Sequence, residues 1–219
     1  MAILEILKFP DARLKQLSKK VETILDNDIV LSASMLETMY KFRGIGLAAP
    51  QVGELKRLLV IDVRSSRYDD VKSDTPNEGD TSSEGDTPNE GDTPNEGDTE
   101  ETGSYQLTNL EKKINMPLIL FNPEIIESKA VTTFDEGCLS VPGYYETVER
   151  KKWVKVKYQN EKRETCTLET DGLLAICIQH EIDHLDGKLF LDRLSFVKSK
   201  RLKAEIKKQG YNLGGTGEL

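Results

Sequence analysis

An α+β fold is expected for this chain of 219 residues from three features taken together. A helix near the N-terminus is followed by several segments rich in branched apolar residues, and a second helix comes after the last of them.

The first helix begins where Asp26, Asn27 or Asp28 can cap it, carries Ile29, Ala33, Leu36 and Tyr40 at a helical repeat, and ends near Gly44. Next, LLVIDV at 58–63 and PLILFNPEII at 117–126 read as two buried strands. At 153–158, Val154, Val156 and Tyr158 alternate with Lys155 and Lys157, which describes a half-exposed strand. A turn at 159–162 leads to a partner strand around 165–168. Thr170 or Asp171 then caps a helix running to about Asp186, and Gly187 suits the left-handed position that closes it.

The two apolar strands are separated by a segment of different character. From Asp74 the hexapeptide DTPNEG recurs as DTPNEG, DTSSEG, DTPNEG and DTPNEG. None of these units holds an apolar side chain that a stacked coil could bury, so residues 65–113 are expected to be a disordered acidic insertion in a surface connection. Its spacing lacks the pattern of a calcium loop. A single domain over residues 1–194 and a basic helix and tail over 195–219 complete the expected organisation. The formal charge of −8 is a local property too: eleven carboxylates fall between Asp74 and Glu101, and without them the rest of the chain stands at +3. No apolar run approaches the length of a membrane span, and the N-terminus lacks the marks of a secretory or transit segment. A cytoplasmic location is therefore expected, with neither membrane nor DNA as a partner. Three cysteines, Cys138, Cys166 and Cys177, are too few and odd in number for a disulfide scaffold.

The chemistry concentrates in HEIDH, 180–184. His180 and His184, the chain's two histidines, project from one helix face on successive turns and can share a metal ion, with Glu181 beside them. The third ligand is open on this evidence. A metzincin requires histidine where Phe190 stands, which excludes that class. Glu205 would serve a gluzincin, whereas Cys138 in EGCLS could offer a thiolate or be an ordinary buried cysteine. A further segment, GIGLAAPQ at 44–51, combines glycines that permit close backbone approach with Gln51, whose carboxamide can donate to a developing oxyanion.

Taken in order, GIGLAAPQ, EGCLS and QHEIDHLDG resemble the three signature motifs of peptide deformylases, and ILKFPDARL from Ile6 and FNPEI from Phe121 are also similar to that family. The resemblance implies a compact α+β fold with antiparallel sheets around the HEIDH helix. It implies Cys138, His180 and His184 as metal ligands, Glu181 as the proton carrier, and Gln51 with the Leu139 backbone N–H as oxyanion donors. Backbone contacts from Ile45, Gly46 and Gly137 would hold a formyl-methionyl nascent peptide, its side chain entering a pocket of Val141, Leu173, Ile176 and Cys177. The donor set suits zinc or ferrous iron, and the resemblance points to Fe2+, with Zn2+ as the alternative. Glu136 and Arg150 match a structural ion pair of the family. Tyr145 departs from it, standing where many bacterial members carry an arginine.

The expected function is thus release of formate from formyl-methionine at new N-termini by a monomeric enzyme. Two other readings compete: an HExxH zinc endopeptidase, indifferent to Cys138, and a metal-stabilised binding module whose acidic insertion is the working part. Over 195–210, six basic residues against Glu205 give +5, a surface suited to ribosomal RNA or simply to water.

Overall fold

The computed structural model describes residues 2–66 and 105–211. The described fold is α+β. Its frame is a five-stranded antiparallel sheet whose spatial order follows the chain: β1 (Gly46–Ala48), β2 (Leu58–Ile61), β3 (Leu118–Cys138), β4 (Val141–Gln159) and β5 (Thr165–Asp171). Among the described residues three α-helices accompany it: α1 (Asp26–Lys41), α2 (Gly172–Leu185) and α3 (Phe196–Gln209). Helix α2 packs against β1, β2, β4 and β5, burying Leu174, Ala175, Ile178 and Leu185 in one core cluster with Leu59, Ile61, Val154 and Val156.

β3 and β4 reach well beyond their expected limits, whereas β2 stops at Ile61. β3 and β4 pair as one long hairpin, but its outer part, Glu127 to Ala130 and Thr132 to Asp135 for example, is exposed or half-buried. The β3 side of that part is held by cross-strand pairing rather than by burial of its own side chains, so it carries no hydrophobic alternation to read, although Val148 and Arg150 opposite it on β4 are buried.

The buried face of α1 also differs from the expected stripe. Ile29, Ala33 and Leu36 are half-buried and Tyr40 is exposed, while Ser32, Met35, Thr38 and Met39 face the core. Ser32 and Thr38 tolerate this because their hydroxyls donate to the helix's own carbonyls, Ile29 O at 2.8 Å and Ser34 O at 2.7 Å.

The expected insertion, 65–113, needs correction at its far end. Its hexapeptide repeats lie outside the described residues, but Tyr105, Thr108 and Glu111 belong to the packed fold and terminate α2. Neither Thr170 nor Asp171 caps that helix through its side chain: Thr170 Oγ1 donates to Asp171 O, and the Asp171 carboxylate accepts from Thr108 Oγ1 at 2.6 Å. The N–H of Leu173 donates instead to the Tyr105 hydroxyl at 2.7 Å, and that of Leu174 to Glu111 Oε1 at 2.8 Å. Open helix N-termini require such acceptors, and here a remote segment supplies them. At the other end Gly187 has φ +68, where a side chain would be strained and would meet the Lys15 carbonyl.

Candidate active site

Cys138 is the last residue of β3 and Val141 the first of β4, so the thiol stands beside the turn made by Leu139 and Ser140. The register slips between Glu136 and Cys138, an irregularity of the kind that re-aims a side chain. The thiol thereby meets α2: Cys138 Sγ lies 3.3 Å from His184 Nε2, and the two imidazole rings are 4.9 Å apart at 80°. Ligand atoms of Cys138, His180 and His184 all fall within 4.8 Å of one another, a spacing one ion with bonds of about 2.0–2.3 Å can bridge.

The environment fits such an ion. Burial, helped by the neighbouring His180, holds His184 well below the usual histidine range, which keeps the neutral form that ligates metals. The Glu181 Oε2 and His184 Nδ1 atoms are buried with no protein partner among the described residues, as expected where a polar site is completed by a group from outside the chain. Burial also pushes the Glu181 carboxyl up to about 7. Glu205, the other candidate ligand, is not among the clustered groups.

Behind the imidazoles runs a chain of buried charges. His180 Nδ1 faces Glu136 Oε2 at 2.8 Å, and Arg150 grips Glu136 through two bonds of 2.6 and 2.8 Å. The same guanidinium bonds Asp183 at 2.6 Å, and Asp183 pairs with Arg193. Burial opposes ionisation of Glu136, but Arg150 and His180 outweigh it and hold the carboxyl at about 2. A ring nitrogen fixed in this way leaves the opposite nitrogen free for a metal. Sequence reading paired Arg150 with Glu136 alone. Asp183 went unassigned, although a charged residue inside so apolar a helix was the available signal.

A cavity of about 490 Å³ adjoins the cluster. Ile45, Gly46, Gln51, Gly137, Leu139, Leu173, Ile176, Cys177 and Glu181 line it, together with Cys138 and His180. Val141 does not, contrary to expectation: as the first residue of β4 it is fully buried and packs with Phe9, Phe190 and Leu191 instead. Tyr105 and Phe134 line the cavity without having been expected. Phe134 lies in β3 just before the EGC segment, and Tyr105 follows the acidic segment, where no local pattern marks it.

Three local details set the geometry. Ala48 N–H donates to Gln51 Oε1 at 2.7 Å, which turns the amide nitrogen to Ser140 Oγ at 3.2 Å and Cys138 Sγ at 3.6 Å. A Cβ on Gly46 would sit 2.5 Å from Glu181 Oε1 and 2.7 Å from Cys177 Sγ, so only glycine lets β1 approach α2 there. The exposed Tyr145 ring covers Gly137, where a Cβ would lie 2.5 Å from it.

Comparison with known proteins agrees along most of the chain. Residues 3–200 match the model of the family described as polypeptide deformylase. A peptide deformylase of Neisseria meningitidis is 40% identical over 209 residues, which span 95% of this chain and 97% of that one. A crystal structure of a peptide deformylase from Legionella pneumophila superposes with TM-score 0.67 at 35% identity, covering 94% of this chain and 96% of that one. Another from Ehrlichia chaffeensis, in complex with actinonin, gives TM-score 0.71 at 32% identity and covers 96% and 99%. Motif order, fold and likeness along nearly the whole length agree: the chain belongs to the polypeptide deformylase family, enzymes that remove the formyl group from the N-termini of new proteins.

Proposed function

We propose that Cys138, His180 and His184 hold one divalent cation, ferrous iron in the cell, and that formyl-methionyl nascent peptides in the cytoplasm are hydrolysed beside it. A cation there supplies Lewis acidity, which brings the pKa of water towards neutrality. The convergence of a sulfur and two imidazoles from distant chain segments beside the cavity supports this reading.

Glu181 takes the proton of the attacking water and delivers it to the departing amine nitrogen as the C–N bond breaks. Its burial and elevated pKa suit a group that must carry a proton in both directions. The carbonyl oxygen becomes an oxyanion during attack, and the Gln51 carboxamide with the Leu139 N–H stabilises it. The bond from Ala48 N–H fixes Gln51 beforehand, so little reorganisation is needed when charge develops. Ile45, Gly46 and Gly137 hold the peptide backbone, and the methionine side chain lies against Leu173, Ile176 and Cys177. Burial keeps Cys177 a neutral thiol, so this wall is apolar.

Protein purified without oxygen should contain one iron per chain by mass spectrometry and release formate from formyl-Met-Ala-Ser. Cys138→Ala should lose both metal and formate release. Retained metal with cleavage of internal amides would favour an endopeptidase instead.

We further propose that α3 touches ribosomal RNA through Lys200, Arg201, Lys207 and Lys208, which are exposed on the helix. Deleting α3 would be a poor test, because Ile206 and Leu202 pack with Phe190 and Leu191. Reversing those four charges should weaken ribosome co-sedimentation at low salt and spare hydrolysis of a short formyl peptide. Unchanged co-sedimentation would discard the contact.

A further inference from the structure

The cavity runs along α2, from the imidazoles to the helix N-terminus, where Tyr105 joins Leu173 in its lining. His180 and Leu173 are separated by seven residues, or about 10 Å of helix axis. In formyl-methionine, six bonds connect the formyl carbon to the terminal methyl; at the spacing of an extended chain they reach about 7 Å. The remaining distance is about one van der Waals contact, roughly 3.5–4 Å. With the formyl carbon level with His180, where the proposed reaction puts it, an extended methionine side chain therefore ends against Leu173 and Tyr105.

Tyr105 is poorly placed to give way. Its hydroxyl accepts from Leu173 N–H at 2.7 Å and donates to Glu111, 2.8 Å from Oε2. Glu111 is fully buried and also accepts from Leu174 N–H at 2.8 Å and Thr108 N–H at 2.7 Å. Swinging the ring aside would break a bond to a buried carboxylate and uncover a helix-terminal N–H, both costly.

We propose that Tyr105 is a length stop for the side chain of the formylated residue: its ring, pinned by Glu111 and the α2 N-terminus, closes the cavity at the reach of methionine and rejects longer linear side chains. This rests on the deformylase reading above and adds to it a specificity residue from outside the signature motifs. It also gives the segment after the acidic repeats a role in substrate choice.

The test is kcat/KM for formyl-X-Ala-Ser peptides, X being norvaline, norleucine, methionine, 2-aminoheptanoate and 2-aminooctanoate. The wild-type enzyme should be best at methionine and norleucine and lose about tenfold or more by 2-aminooctanoate, in line with the worth of a methylene in a closed pocket. Tyr105→Ala should shift the optimum one or two methylenes longer, and Tyr105→Phe, which keeps the ring but loses the hydroxyl that pins it, should keep methionine and norleucine best while rejecting 2-aminoheptanoate and 2-aminooctanoate less sharply than the wild type. If a thermal melt shows Tyr105→Ala unfolded, Tyr105→Leu should give a smaller shift in the same direction. A length profile unchanged in the alanine or leucine variant, with formyl-methionine still hydrolysed, overturns the stop alone. Absence of formate release from formyl-methionine by the wild-type enzyme overturns the deformylase reading and the stop with it.

Discussion

The two ends of α2 are secured in opposite ways. At the C-terminal end, His180 and Asp183 sit in a chain of buried charges that Arg150 links through Glu136 and that ends on the more exposed Arg193, with His184 beside it facing Cys138. At the N-terminal end one buried carboxylate, Glu111, and one phenol, Tyr105, satisfy backbone groups beside an apolar wall. The first end has the rigid electrostatics that orienting the proposed metal ligands would need; the second needs only shape. Breaking each end should therefore have different consequences.

The largest loss of stability is expected at the charged end. Arg150→Met leaves Glu136 and Asp183 facing one another's neighbourhood without their shared partner, and removing one member of such a buried pair costs about 3–5 kcal/mol. Denaturant melts would measure it, with weaker metal retention as a companion effect. Gln51→Ala acts on the same end without touching the ion pairs. It should lower kcat by about 10²–10³ while leaving metal content unchanged, and a change confined to KM would remove Gln51 from the oxyanion role.

At the other end, Glu111→Gln places an amide N–H where the carboxylate now accepts, at a cost of about 2 kcal/mol. Metal content should not change. If it cost as much as Arg150→Met, or released the metal, the contrast between the two ends would be lost. Smallest is an acid effect just past the charged end, at a carboxylate outside the chain of charges. Burial of Asp192 opposes its ionisation, but the Leu189 N–H, Lys15 and Lys203 outweigh it and hold the carboxyl at about 2. That lies below its ordinary value of 3.8, so the stability it contributes is present above about pH 4 and is lost as pH falls towards 2. With screening by solvent the effect is about 1 kcal/mol, measurable as a difference in acid melts between wild type and Asp192→Asn.

The same contrast explains what the sequence disclosed. The charged end was legible because metal ligands need particular residue types at fixed helical spacing, and His180, Glu181 and His184 announce themselves within five positions. Cys138 and Gln51 were candidates on their own chemistry, but only motif resemblance brought them together with the histidines, since nothing in their local pattern says that β3 and the segment after β1 meet on α2. The apolar end was largely hidden. Tyr105 and Glu111 reach the helix from another part of the chain, next to repeats whose composition suggested that the whole segment lay outside the fold. Val141 was misplaced because an apolar residue after EGCLS suits a pocket wall as well as a core, and strand direction at the hairpin decided between them. The outer part of β3 was missed because periodicity reports burial, and its residues from Glu127 to Asp135 are paired without being buried, whereas on β4 the buried Val148 and Arg150 stand too far apart in character to read as an apolar face.

The central claim is that Glu181 moves protons beside a cation held by three other residues. The most direct measurement is metal content together with formate release for Glu181→Gln and the wild-type protein prepared side by side. The account predicts one metal per chain in both, with formate release from formyl-Met-Ala-Ser falling about 10²–10⁴-fold in the variant. Comparable formate release by the two proteins at equal metal loading would contradict it.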